Sequence, residues 1–261
     1  MIDNHTHAQT KEEINELLFS MKENNIEKSI ILHLPENDLS ELIKNTEKYN
    51  NLFVIGSISI LNKNFYNKFI ELHEAIKNKK IFGVKLYLGY EHFYANDNRC
   101  DIIYQMCSEN NIPVVFHTGD TWIGERQYSK IKYANPIFLD EIAVKYPKLK
   151  IVISHMGNPI WINETAELVY KNKNIYTDFS GMLIKNNTQR AKEYNKKTEQ
   201  NILDVLNYVG DSKKILFGSD YNYFKQEIYI SFINKLYEQK KITKTEYENI
   251  TYKNAERIYN I

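Results

Sequence analysis

A chain of 261 residues, 43% hydrophobic and 26% charged, has the composition of an ordinary globular protein able to bury a sizeable core. Its 34 basic residues against 33 acidic give a formal charge of +1, which gives no support to a nucleic-acid footprint, and no apolar run approaches bilayer length. Cys100 and Cys107 are too few for a disulfide framework and read as reduced thiols, and the absence of a basic start leading into an apolar signal core sets the expectation of a cytoplasmic protein.

The chain opens on an apolar strand start, Ile2-Asp3, that runs into His5-Thr6-His7. Residues i and i+2 of a strand share a face, so the two imidazoles can aim at one point. Residues 11–24 follow with Ile14, Leu17, Leu18 and Met21 at helical spacing, with Thr10 and Glu13 placed as a capping box and Asn24-Asn25 as the stop. Residues 26–34 are the second expected strand, 39–49 a helix, 52–58 the third strand and 65–77 the third helix. The fourth strand, 81–87, carries Lys85 inside an apolar run; residues 99–110 are helical, and the fifth strand ends at His117.

A helix over 136–146 precedes the strand that ends in Ser154-His155, and a helix over 161–170 precedes a strand over 174–179. A helix near 200–209 leads to the strand before Asp220, and helices over 226–240 and 244–259 finish the chain. Eight strands alternating with helices in this length predict a single barrel over residues 1–261, a (β/α)₈ TIM barrel of the α/β class. An open doubly wound sheet is the alternative, but only closure brings the first and last strands around one point. The longest strand-to-helix connections, 88–99, 118–135 and 180–200, are the expected substrate-shaping loops, with 192–199 read as a solvated, mobile surface.

In such a barrel the catalytic groups gather at the C-terminal strand ends, where His5, His7, His117, His155 and Asp220 all fall. Neutral imidazoles and a carboxylate suit a borderline divalent ion, so His5, His7, His117 and Asp220 are the expected metal ligands, for Zn²⁺, Fe²⁺ or Mn²⁺. His155 either binds a second ion or stands beside a single one and hydrogen-bonds the substrate oxygen, the second role being favoured. Lys85 has three readings: an ammonium contacting the substrate, a carbamylated bridge between two ions, or a structural group that snorkels to the rim. Trp122, Arg126, Lys130 and Trp161 are the candidate substrate contacts, with Arg126 and Lys130 suited to a carboxylate and the aromatic groups, Tyr87, Tyr90 and Tyr128 among them, to a planar molecule.

The segments Ile2-Asp3-Asn4-His5-Thr6-His7, Gly83-Val84-Lys85-Leu86, Val115-Phe116-His117-Thr118-Gly119, Ile153-Ser154-His155-Met156-Gly157 and Leu216-Phe217-Gly218-Ser219-Asp220 together resemble the amidohydrolase superfamily. The resemblance is closest to the amidohydrolase-related branch of small-acid hydrolases, lactonases and metal-dependent decarboxylases. Tyr146-Pro147-Lys148, Tyr176-Thr177-Asp178-Phe179-Ser180-Gly181 and Asn254-Ala255-Glu256-Arg257 extend it over nearly the whole chain. It implies metal ligation by His5, His7, His117 and Asp220, and either substrate activation or metal binding by His155.

The leading expectation is metal-dependent hydrolysis of an amide, ester or lactone in a small anionic metabolite. Metal-bound water, its pKa brought toward about 7, would be the nucleophile, and Asp220 would shuttle the proton. Zinc is the expected ion, one rather than two unless Lys85 is carbamylated. The alternatives are nonoxidative decarboxylation of an unsaturated or aromatic acid, and a noncatalytic metal-stabilised barrel that binds a metabolite. A nuclease is disfavoured because Lys85 stands where such barrels offer an acidic ligand; neither a nucleic-acid nor a membrane partner is expected, and apolar helix faces leave a homodimer open.

Overall fold

Each apolar run that ends in a polar residue is a strand. The computed structural model describes residues 1–121, 128–184 and 188–261. In it the strands are β1 (Ile2–Thr6), β2 (Lys28–Leu32), β3 (Leu52–Ser57), β4 (Val84–Leu86), β5 (Pro113–Phe116), β6 (Lys150–Ile153), β7 (Ile175–Asp178) and β8 (Ile215–Leu216). They form one eight-stranded sheet in sequence order with every neighbouring pair parallel. The first and last strands meet: Asn4 donates its N–H to the Phe217 carbonyl at 3.1 Å, Asp220 donates to the His5 carbonyl at 2.8 Å, and Thr6 bridges Tyr221. The expected TIM barrel is the observed fold.

Helices cover the outside: α1 (Lys11–Glu23), α2 (Leu39–Thr46), α3 (Phe65–Lys77), α4 (Asp101–Glu109), α5 (Leu139–Lys145), α6 (Ile162–Lys171), α7 (Gln189–Val209), α8 (Gln226–Glu238), α9 (Lys244–Glu248) and α10 (Asn254–Tyr259). The Thr10–Glu13 capping box starts α1, and Asn24 closes it with Asn25 in the left-handed region. No helix among the described residues is long and apolar enough to cross a membrane.

Two expectations change. The residues read as a solvated, mobile surface, 192–199, are mostly exposed but lie inside α7, a 21-residue helix. Thr188 caps it by accepting from Ala191 N–H, Gly210 ends it in the left-handed region, and Ala191, Thr198, Ile202, Val205 and Val209 turn inward. Lys, Glu and Gln are good helix formers, and a sparse buried stripe suffices when the other faces stay in water. At the C-terminus, the single helix expected over 244–259 is instead α9, a π-helical segment (Asn249–Lys253) and α10.

Ile2, Ile30, Leu32, Ile55, Val115, Val152 and Leu216 fill the barrel interior and pack against Ala255, Ile258 and Tyr259 of α10, each nearly or wholly buried. Burying a side chain of this size contributes about 1.5–3 kcal/mol, so this plug is a major part of the core. It also seals the N-terminal end of the barrel. The polar interior residues therefore sit above it, toward the C-terminal mouth.

Candidate metal centre

Five strand ends bring the polar cluster together. His5 and His7 come from β1 and its exit, His117 from the exit of β5, His155 from that of β6, Asp178 ends β7, and Asp220 follows β8. The donor atoms of His5, His7 and Asp220 lie within 4.8 Å of one another, as do those of His5, His155 and Asp178. His117 is in neither group; its ring lies against that of His155, centroids 5.0 Å apart.

Hydrogen bonds fix which nitrogen of each ring carries the proton, because a carbonyl can only accept. His7 Nδ1 donates to the Leu32 carbonyl at 3.2 Å, His117 Nε2 to the Asp120 carbonyl at 2.8 Å, and His155 Nδ1 to the Ser180 carbonyl at 2.9 Å. His5 Nδ1 donates to Asp178 Oδ2 at 3.2 Å. The other nitrogens are left as lone pairs. His5 Nε2 and His7 Nε2 stand 3.4 and 3.2 Å from Asp220 Oδ1, so electron-rich atoms converge on one place. That set fits a divalent cation, and rings held from behind by backbone carbonyls or a carboxylate are the usual support for metal-binding histidines.

Electrostatics favour the same state. Burial, reinforced by the nearby Lys85 charge, lowers His5 to about 3, and burial also lowers His117 and His155, so these rings are neutral at neutral pH. Burial alone would raise Asp178 and Asp220. The facing His5 and His155 rings outweigh it at Asp178, and His7, His5 and His155 do so at Asp220, so both carboxyls titrate below the ordinary carboxylate range. Neutral imidazole and ionised carboxylate are the forms that bind metal.

In the sequence Asp178 stands out only as part of the Tyr176–Gly181 motif; in the structure it is central. Its Oδ1 accepts from His155 N–H at 3.0 Å, Ser180 N–H at 3.0 Å and Ser180 Oγ at 2.5 Å, while Oδ2 accepts from His5. With its oxygens so occupied it braces the ligands, which makes the His5, His7 and Asp220 group the better ion site. The signal was available, since strand seven ends in an acid just as strand eight is followed by one.

Backbone conformation also marks the site. His155 and Asp220 both have φ of +65°, a region that costs a non-glycine residue about 1–3 kcal/mol and persists only where the surroundings hold it. Gly181, at φ +67°, passes so close that a β-carbon there would lie 2.8 Å from Asp220 Oδ2 and 3.1 Å from His155 Nδ1.

Lys85 is 1% exposed and donates from Nζ to Ser154 Oγ at 2.7 Å, with Nζ 5.5 Å from the centroid of the Tyr87 ring. Burial pulls its pKa down to about 8, partly offset by Asp178 and Asp220. Asp3, two residues before His5, is raised to about 6 by burial against the donors of Ser219, Gln226 and His5.

Of the expected substrate contacts, Trp122 and Arg126 fall outside the described residues. Lys130 is exposed, and its N–H donates to the Gly89 carbonyl at 2.8 Å, tying its loop to the exit of β4. Trp161 is half-buried at the start of α6, where its N–H donates to the Gly157 carbonyl at 2.8 Å. Two other rings border the ligands: Tyr90 against His117, centroids 4.8 Å apart, and Tyr223 against His7 at 5.2 Å.

No curated protein matches the chain. Among solved structures, a TIM-barrel protein from Bordetella bronchiseptica is similar with a TM-score of 0.77 and 21% identity, covering 99% of this chain and 97% of its own. A probable 2-pyrone-4,6-dicarboxylic acid hydrolase from Acinetobacter baumannii, with citric acid bound, superposes with a TM-score of 0.69 at 17% identity, covering 100% and 99%. A dihydroxybenzoic acid decarboxylase from Polaromonas sp. JS666, holding manganese and the inhibitor 2-nitroresorcinol, gives a TM-score of 0.68 at 14% identity over 99% and 96%. At these identities the likeness is one of fold. The model of a family described as Amidohydrolase matches residues 53–261, most of the chain though not the strand that carries His5 and His7, and on that match the chain belongs to the amidohydrolase family.

Proposed function

We propose that this barrel is a metal-dependent decarboxylase of a small, planar, unsaturated or aromatic acid. The observation that carries this reading is the convergence of the His5, His7 and Asp220 donors, with His155 and His117 beside them, in an interior that also holds the buried Lys85 cation. The aromatic rings of Tyr90 and Tyr223 border the same place. The solved decarboxylase of like fold supports choosing this reaction over the amide or ester hydrolysis suggested by the motifs alone.

A divalent ion, when bound, would attract the substrate carboxylate and a neighbouring oxygen and stabilise their charge. His5, His7 and Asp220 would hold that ion, with His117 beside them. Both zinc and manganese accept imidazole and carboxylate donors, and manganese is the ion of the decarboxylase compared above. The ionised Asp220 would take the substrate's hydroxyl proton and deliver it to the carbon bearing the carboxylate. As the C–C bond breaks, its electron pair returns to the ring and carbon dioxide departs, so one carboxylate and one proton become a C–H bond and CO₂. His155, whose Nε2 keeps its lone pair because Nδ1 donates to the Ser180 carbonyl, would orient the substrate hydroxyl, and Lys85 would add attraction for an anion.

Hydrolysis of an unsaturated lactone is the second reading, favoured by the likeness to the probable pyrone dicarboxylic acid hydrolase. Zinc- or manganese-loaded protein incubated with hydroxybenzoates, unsaturated diacids and carboxylated lactones separates the two. Decarboxylation releases CO₂ and places one deuterium on the product carbon in D₂O, while hydrolysis releases a new acid group and no CO₂. Asp220→Asn should lower turnover about 10²–10⁴-fold. Release of acid without CO₂ would replace the first reading by the second, and binding without turnover of either class would leave a noncatalytic barrel.

A further inference from the structure

The candidate ion site straddles the barrel's closing seam, with His5 and His7 on the β1 side and Asp220 on the β8 side. That seam has little ladder of its own, since β8 is two residues long and joins β1 through separate backbone hydrogen bonds. Something else must set how far Asp220 lies from the two imidazoles.

Asp3 is placed to do so. Its side chain is fully buried and accepts four hydrogen bonds. Oδ1 receives the N–H groups of Ser219 at 3.0 Å and His5 at 3.3 Å; Oδ2 receives Ser219 Oγ at 2.6 Å and Gln226 Nε2 at 2.9 Å. Ser219 thus presents two donors to one carboxylate, and its Oγ also accepts the Tyr221 N–H at 3.1 Å. Asp220 lies between these two anchored residues. Gln226 in turn accepts from Ser20 Oγ at 2.6 Å, tying the first and eighth helices to the same point.

We infer that Asp3 is a positioning residue: through Ser219 it locks the exit of β8 to β1 and so fixes the spacing between Asp220 and the His5–His7 pair. The inference rests on the reading that these three residues hold a divalent ion. A neutral amide in place of the carboxylate keeps the volume but sets its NH₂ against a donor at one of the two oxygens, and it weakens the bonds that remain.

The test uses the full chain stripped of metal and titrated with Co²⁺, reading the visible d–d spectrum and the dissociation constant by chelator competition. Stability of the metal-free protein is measured in parallel by urea. Asp3→Asn should bind Co²⁺ about 10–100-fold more weakly with an altered d–d band, the loss typical when a ligand's support is removed. Ser219→Ala should lose less in the same direction. Tyr104→Phe breaks a buried hydrogen bond from α4 to the Ala95 carbonyl, at 2.6 Å, away from the seam, and should keep wild-type affinity and spectrum.

Wild-type affinity and spectrum in a folded Asp3→Asn would overturn the inference. So would losses that follow stability across all three variants, Tyr104→Phe included. If Asp3→Asn does not fold, Ser219→Ala decides: weaker binding with an altered band supports the inference, and unchanged binding ends it. A wild-type protein that takes up no Co²⁺ would remove the metal reading itself and the inference with it.

Discussion

His5 and Asp178 are joined across 3.2 Å from imidazole Nδ1 to carboxylate Oδ2, so the first strand's ligand is oriented by the end of the seventh. An amide at 178 can keep the three donors on Oδ1 but turns an NH₂ toward the His5 N–H. The ring then gains by moving its proton to Nε2, the nitrogen that faces Asp220. Asp178→Asn should therefore weaken Mn²⁺ or Zn²⁺ binding about 10–100-fold. Chelator competition measures it, and wild-type affinity would show that Asp178 does not orient His5.

Gly181 and Gly210 offer a matched pair, with φ of +67° and +64°. Alanine at either pays the left-handed penalty of about 1–2 kcal/mol, seen as reduced stability of the metal-free protein in urea. A β-carbon at 210 meets nothing within 4 Å, whereas one at 181 meets Asp220 and His155. Only Gly181→Ala should lose metal affinity. Equal affinities for the two variants would mean that the Asp220 carboxylate has room to yield.

Lys85 sits at about 8, against 10.5 for an ordinary lysine, because burial disfavours the ammonium. Between those values the unfolded chain binds more protons than the folded one, so stability rises with pH there and is lost as pH falls toward 8. In the metal-free protein, the stability of wild type relative to Lys85→Met should climb from pH 8 to pH 10.5 and level off below pH 8. A pH-independent difference would indicate that the amine is not desolvated. The same variant should lose affinity for anionic substrate.

Ion binding to the folded state alone should stabilise it by about 2.7 kcal/mol when free metal is 100 times its dissociation constant. Thermal melts with added Mn²⁺ or Zn²⁺ should shift upward, and EDTA should reverse the shift. No shift with either ion would count against the His5, His7 and Asp220 site.

The alternation of apolar runs and helical spacing was enough to specify the barrel, because each run ending in His5-Thr6-His7, His117, His155 or Asp220 has one way to share a face with the others. Which nitrogen of each ring carries its proton was not legible, since that depends on the Leu32, Asp120 and Ser180 carbonyls, and every residue carries a carbonyl. The role of Asp178 is hidden for a related reason: it lies in partners 173 and 23 residues away, His5 and His155. The 192–199 stretch is mostly exposed, as its charge suggests, but charge does not report backbone order, and α7 needs only a thin inward stripe to stay helical. It even reaches the site's surroundings, where Asn195 holds both the N–H and the carbonyl of Ile184.

Because its proposed ligands come from the first and the eighth strands, an ion here would act as a clasp on a very long loop, the arrangement in which a cross-link restricts the unfolded chain most. A nascent chain cannot assemble the full set until its last strand has emerged, so loading follows completion of the barrel. In native-state hydrogen exchange, withdrawal of metal should free the Asn4 and Asp220 amides sooner than those between β5 and β6.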